Sequence, residues 1–272
     1  MRDPDTTTLI TGGGGGIGLE IARLLAARGH RLILIGRDAA RLRAAAVELR
    51  GGHGTEVIQQ TADLSEPGAA QALFERTQRL GLRVDGLVNN AGFGVVEEHV
   101  EIDPDRMYRM LQLDVVAVAE LCHRYGREMK HRRCGRILNI ASTAAFQPTP
   151  FFAAYGAAKA FVLNFSEALA KELEDYRVSV SCLAPGPTDT AFFDAVDPRR
   201  IAGRHHFGKA GRADPRRVAI AGVDLMLGGG LTRVVGVTNR AISFGNRLAP
   251  RAVVAAVSKR LLRPLDLPGA AD

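Results

Sequence analysis

The residues Thr11-Gly12-Gly13-Gly14-Gly15-Gly16-Ile17-Gly18 constrain this chain more than any other segment. They directly follow the strand-like Thr6-Thr7-Thr8-Leu9-Ile10 and open a helical pattern carried by Ile21-Ala22 and Leu24-Leu25. A strand, a glycine turn and a helix make a phosphate cradle. Glycine lets the backbone bend tightly and approach a pyrophosphate, while the free N–H groups and positive dipole end of the helix attract its charge. The segment therefore predicts a dinucleotide-binding turn. Its register is open on the residues alone. Gly13, Gly15 and Gly18 fit a Gly-x-Gly-x-x-Gly spacing, while Gly12, Gly16 and Gly18 fit Gly-x-x-x-Gly-x-Gly.

Beyond the turn, apolar β-branched runs recur between helical patterns. They are Arg31–Ile35, Glu56–Ile58, Gly86–Val88, Arg136–Ile140, Val178–Cys182 and Thr232–Val237, which with the first strand make seven. Helical segments are expected at Ile17–Arg28, Ala39–Leu49, Pro67–Leu80, Asp103–Lys130, Ala153–Asp175 and Pro215–Met226. Such alternation implies right-handed crossovers. The expected fold is α/β, a single-domain Rossmann fold with a doubly wound seven-stranded parallel sheet and helices on both faces. Ligands in such sheets bind beyond the carboxyl ends of the strands. The stretch Asp189–Asp214 breaks the alternation and reads as a loop at that edge, a candidate substrate lid. Its His205-His206 pair lacks acidic or cysteine partners at ligand spacing, so no metal site is expected.

Residues 1–245 are expected to form the dinucleotide-binding and catalytic domain. Residues 246–272 differ: Asn246–Arg263 reads as one basic amphipathic helix ending before Pro264. Its apolar face is expected to pack on the same domain or on a partner subunit, with peripheral contact to an anionic membrane surface the less favoured alternative. The sequence leaves these open.

With 272 residues and 46% hydrophobic content the chain can bury a large core. Three scattered cysteines, Cys122, Cys134 and Cys182, fit reduced thiols better than a disulfide framework. No apolar leader or run of about 20 apolar residues is present, which points to a cytoplasmic protein. The net charge of +7 comes from scattered arginines with only 6% aromatics and no reading module, so nucleic acid is not an expected partner.

Tyr155 and Lys159 are four apart in a helical pattern and share a face. A neighbouring ammonium favours the phenolate and is expected to bring the tyrosine pKa down from about 10 towards a range useful for proton transfer. Ser142 follows the strand Arg136–Ile140, where its hydroxyl can reach a substrate oxygen. Each has a plain alternative, a half-buried tyrosine beside a surface lysine and a turn-forming serine.

Together these residues resemble the short-chain dehydrogenase/reductase family in its compact form. Thr11–Gly18 resembles its Thr-Gly-x-x-x-Gly-Ile-Gly turn, which selects Gly12, Gly16 and Gly18 as the working glycines, and Asn89-Asn90-Ala91-Gly92 resembles its Asn-Asn-Ala-Gly. Ser142, Tyr155 and Lys159 fall on its catalytic serine and Tyr-x-x-x-Lys, and Asp63-Leu64 on its adenine-contacting pair. Pro185-Gly186, Thr188 and Thr190 resemble the segment that meets the nicotinamide end. The resemblance thus implies cofactor contacts at Gly12, Gly14, Gly16, Ile17, Gly18, Arg37, Asp63, Leu64, Asn90, Ala91, Gly92, Tyr155, Lys159, Pro185, Gly186, Thr188 and Thr190. It implies hydride transfer between nicotinamide and a small, fairly apolar carbonyl or alcohol, with Tyr155 handling the proton. A homodimer or homotetramer, formed through the helical segments Asp103–Lys130 and Ala153–Asp175, is implied as well.

Cofactor choice is expected from Ile35-Gly36-Arg37-Asp38. Gly36 stands where relatives that prefer NAD carry Asp, and Arg37 suits a 2′-phosphate, so NADP(H) is favoured over NAD(H). Asp38 is expected to cap the next helix. One departure stands out: Asp114 occupies a helical position where the family has Asn, and it joins Ser142, Tyr155 and Lys159 as a candidate catalytic residue. It is either a tolerated isostere or the mark of an altered proton relay. Two other functions stay open: non-redox elimination or cyclisation at Tyr155, and an NADPH-binding regulatory protein without turnover. Phe93, Val95, Phe146, Phe151, Phe152, Phe192 and Phe193 are candidates for an apolar substrate pocket.

Overall fold

Alternation along the strands decides which layer each element joins. In a computed structural model that describes residues 6–194, 211–246 and 248–263, the first strand β1 (Thr7–Thr11) points Leu9 to one face and Ile10 to the other. Strand β2 (Arg31–Gly36) does the same with Ile33 and Ile35 against Leu32 and Leu34. Both faces must therefore be covered. Helices α1 (Gly16–Ala26), α2 (Ala39–His53) and α7 (Pro215–Gly228) cover one, burying Ile21, Leu25, Leu42, Val218 and Val223. Helices α3 (Ala69–Arg79), α5 (Ala117–Arg132) and α6 (Ala153–Leu173) cover the other with Leu73, Leu121, Tyr125 and Val162.

The remaining strands are β3 (Val57–Thr61), β4 (Gly86–Asn89), β5 (Gly135–Ile140), β6 (Val178–Ala184) and β7 (Thr232–Val234). All pairings are parallel, in the order β3-β2-β1-β4-β5-β6-β7. The chain reverses direction across the sheet between β1 and β4. The loops after these two strands consequently diverge and open a crevice.

Three expectations need correction. The seventh strand stops at Val234, and Val237–Gly245 forms a further helix, α8, entered through Gly236 at φ +92°. The tail is not one helix from Asn246. Pro250, which fixes φ and lacks an N–H, stands at the start of a separate helix α9 (Arg251–Leu262). The long Asp103–Lys130 helix is α4 (Pro104–Leu111) joined to α5 by a π-helical turn, Gln112–Val116. Most of the candidate lid, with His205 and His206, lies outside the described residues.

Candidate active site

The glycine turn is held in place from below. Thr11 Oγ1 donates to the Val88 carbonyl at 3.3 Å and accepts the N–H groups of Asn90 and Ala91 at 2.9 and 3.0 Å, tying β1 to the β4 loop. Asn90 Nδ2 donates to the Thr11 carbonyl at 3.0 Å. Gly12 bends at φ +67°, and a Cβ there would stand 2.7 Å from Asn90 Nδ2. A Cβ at Gly18 would run into the Gly12 carbonyl and the same amide. Gly16 also takes positive φ. Gly13, by contrast, donates its N–H to the Ile35 carbonyl, and Gly15 has only open space around it. Helix α1 starts with no side-chain cap. Gly16 and Ile17 of its first turn line the crevice, and the first N–H groups of a helix have no partner within it, which suits them to an anion.

A cavity of about 930 Å³ runs from this turn across the carboxyl ends of the strands. Around the turn it is walled by Gly12, Gly14, Gly16, Ile17, Arg37, Asp63 and Leu64, together with Asn90 and Ala91. Asp38 caps α2 as expected, accepting the N–H groups of Ala40 and Arg41 at 2.9 and 3.0 Å. Arg37 is left exposed at the cavity wall, with Arg41 beside it. Asp63 accepts from Ser65 Oγ at 2.6 Å and pairs with Arg109 at 2.8 Å. Burial raises its pKa, but Ser65, Arg109 and Arg37 outweigh that and hold it below the usual carboxylate value.

The same cavity is lined by Ser142, Tyr155 and Lys159 and by Pro185, Gly186, Thr188 and Thr190. Gly92 lies against Lys159, where a Cβ would stand 3.2 Å from Nζ, and Thr190 packs against Gly16. Ser142 Oγ accepts the N–H of Ala144 at 3.2 Å, starting the short turn Thr143–Phe146. Lys159 Nζ lies 5.6 Å from the Tyr155 ring centre and donates to the Ile140 carbonyl at 3.4 Å. Two predicted residues do not line the cavity. Gly18 lies beneath the turn. Asp114, 0% exposed, stands behind Lys159 with Oδ2 3.2 Å from Nζ and Oδ1 accepting the Phe93 N–H at 3.2 Å. The Lys159 contact is off the line of a directed hydrogen bond and acts as an ion pair.

The tyrosine expectation needs adjustment. Burial pushes the Tyr155 phenol above its ordinary value; the Lys159 charge and the Ser142 hydroxyl pull it down, and the Asp114 charge pushes it further up. Burial lowers the Lys159 pKa, yet Asp114 and Tyr155 outweigh this and hold the ammonium above its ordinary value. Burial raises the Asp114 carboxyl, with Lys159 and the Phe93 N–H opposing. The lysine charge helps the phenolate as anticipated, but desolvation and a second charge dominate.

Of the apolar candidates, Phe93, Phe152 and Phe192 line the cavity, and the Phe192 and Phe152 rings lie 5.4 and 5.9 Å from that of Tyr155. Val95 packs in a small core with Ile102 and Met110, Phe146 against the main core, and Phe151 beside Phe152; the Phe193 side chain lies outside the described residues. The sequence missed a whole wall. Asn239, Ile242 and Asn246 from α8 and its end, and Val254, Ser258 and Leu262 from α9, close the cavity. The apolar spacing of Val254 and Leu262 was the available signal. Among the described residues no His/Cys/Asp/Glu cluster could hold a metal, and no helix is long and apolar enough to cross a membrane.

Residues 6–200 match the model of the short chain dehydrogenase family. The chain is 32% identical over 193 residues to human 17-beta-hydroxysteroid dehydrogenase type 3, a match covering 70% of this chain and 62% of that protein. It is 34% identical to nodulation protein G of a Rhizobium species over 71% of this chain and 77% of the relative. Among solved structures it is similar to a short-chain dehydrogenase from Sphingobium yanoikuyae in complex with NADPH, at TM-score 0.78, 28% identity and 98% coverage of both chains. With its turn, its crevice and the family model in agreement, the chain belongs to the short-chain dehydrogenase family of nucleotide-binding oxidoreductases.

Proposed function

We propose that the protein is an NADP(H)-dependent oxidoreductase that interconverts a small, fairly apolar carbonyl compound and its alcohol. The observation that carries this reading is that Ser142, Tyr155 and Lys159 line one cavity together with the glycine turn and the uncapped start of α1. The residues fit a dinucleotide: side chains at Gly12 and Gly18 would fill the turn, and Gly14, Gly16 and Ile17 line the cradle. Arg37, with Gly36 leaving room beside it, suits a 2′-phosphate. Asp63 and Leu64 would border the adenosine half, Asn90, Ala91 and Thr190 the stretch beside the turn, and Gly92, next to Lys159, with Pro185, Gly186 and Thr188 the nicotinamide half.

When bound, the nicotinamide supplies or accepts the hydride. Ser142 donates a hydrogen bond to the substrate oxygen and fixes its position. Tyr155 gives that oxygen its proton during reduction and recovers it during oxidation. Lys159 carries the nearby positive charge and, from the same helix face, reaches for ribose hydroxyls. Asp114 touches neither substrate nor cofactor. It is a positioning residue that anchors the Lys159 ammonium and spends part of its field. Burial first, and Asp114 after it, favour the protonated phenol, the form needed to reduce a carbonyl. Val116 and Phe161, exposed near the joined helices and on α6, suit the burial expected of a homodimer or homotetramer.

Screening aldehydes, ketones and alcohols with both nicotinamides tests the assignment. Change in the absorbance of reduced nicotinamide, matched to product mass, is the expected result. Substrate consumption without that change would overturn it.

A further inference from the structure

We propose that the α8–α9 surface is a docking face for an anionic lipid bilayer, placing the mouth of the substrate cavity on the membrane surface. Exposed large apolar side chains are concentrated there: Phe244 is 64% and Leu248 77% exposed, and Val237 and Ile242 are open as well. Helix α9 turns Val254, Ser258 and Leu262 inward, while the adjacent row Val253, Val257 and Leu261 faces solvent. That outer row and Ile242 also line the cavity. The apolar lining therefore continues out through the mouth onto the surface. A patch of this kind is costly in water and marks an interaction site.

Charge selects the partner. Between Asp224 and Asp266 the sequence has no acidic residue, whereas Arg240, Arg251, Lys259 and Arg260 are basic and exposed. On α9, Arg260 borders the outward apolar row. A second copy docked through the same face would bring like charges together. An anionic bilayer accepts both halves, with the apolar row entering the headgroup–acyl boundary and the basic side chains meeting phosphates. For substrate class, this rests on the oxidoreductase reading and deepens it: a sparingly soluble carbonyl compound carried in the bilayer would enter the cavity without crossing water.

Co-sedimentation of the full chain with vesicles of phosphatidylcholine alone, or mixed with phosphatidylglycerol, tests the proposal. The protein should pellet with the anionic vesicles at least about tenfold more strongly than with the neutral ones. The Phe244→Ser/Leu248→Ser variant, whose positions do not line the cavity, should lose at least about tenfold of that binding. Its circular dichroism, oligomeric mass and turnover of a water-soluble carbonyl should be unchanged. Equal binding to both vesicle types, binding unaffected by the substitutions, or no binding would overturn the proposal. So would a fall in the variant's oligomeric mass, which would show that another copy covers this face. Vesicle binding by a protein that reduces no carbonyl would instead sink the oxidoreductase reading alone.

Discussion

Asp114 Oδ2 stands 3.2 Å from Lys159 Nζ, with the carboxylate fully buried and the lysine 6% exposed. An ammonium paired this closely with a carboxylate projects less positive field onto Tyr155 than an unpaired one. Asp114→Asn removes the charge that pushes the phenol up and leaves Lys159 to pull it down. The sign follows: the phenolate forms at lower pH. In alcohol oxidation the rise of kcat/KM with pH should move to lower pH, and in carbonyl reduction the fall at high pH should move the same way. Both limbs are read from pH profiles of wild type and variant; superimposable profiles would make Asp114 a simple isostere.

Arg37 lies exposed at the cavity wall while its neighbour Asp38 is committed to capping α2. Arg37→Ala should weaken NADPH binding by about ten- to a hundredfold, the value of a charge-assisted contact, and leave NADH binding nearly unchanged. Titration of the two cofactors by intrinsic or nicotinamide fluorescence measures this. Equal losses for both would remove the 2′-phosphate role.

Two glycines of one run should behave oppositely. At Gly18 a Cβ meets the Gly12 carbonyl and Asn90, so Gly18→Ala should cost about 1–3 kcal/mol and abolish the thermal stabilisation given by NADPH. Gly15 is extended, at φ −177°, with nothing within 4 Å of a Cβ. Gly15→Ala should stay within about 0.5 kcal/mol of wild type. Thermal unfolding with and without cofactor compares the two.

Thr11 supplies a third stability test. Its hydroxyl satisfies the N–H groups of Asn90 and Ala91. Thr11→Val keeps the shape and removes the acceptor, which should cost about 1–3 kcal/mol in chemical denaturation. No loss would mean that this clamp does not hold the β1 and β4 loops together.

Legibility in the sequence follows the range of the physics involved. The glycine turn and the Tyr155–Lys159 pairing on one helix face were readable because each depends on local geometry, a backbone bend and a helix repeat. Asp38 was readable as a cap for the same reason. The π-helical turn around Asp114 was hidden, since one extra residue leaves a helical pattern almost unchanged. The net direction of the Tyr155 shift was hidden too, because desolvation depends on Phe152, Phe192 and the rest of the tertiary surroundings. The tail showed an apolar face, but periodicity does not say what that face meets. Only the packed structure brings Val254 and Leu262 to the cavity.

In the proposed mechanism Tyr155 transfers the proton that accompanies hydride transfer. Tyr155→Phe keeps the ring packed between Phe152 and Phe192 and removes only the hydroxyl. Single-turnover oxidation of bound NADPH by a carbonyl substrate should slow by about a hundred- to ten-thousandfold, with the NADPH dissociation constant unchanged. Hydride transfer at the wild-type rate in this variant would contradict the account.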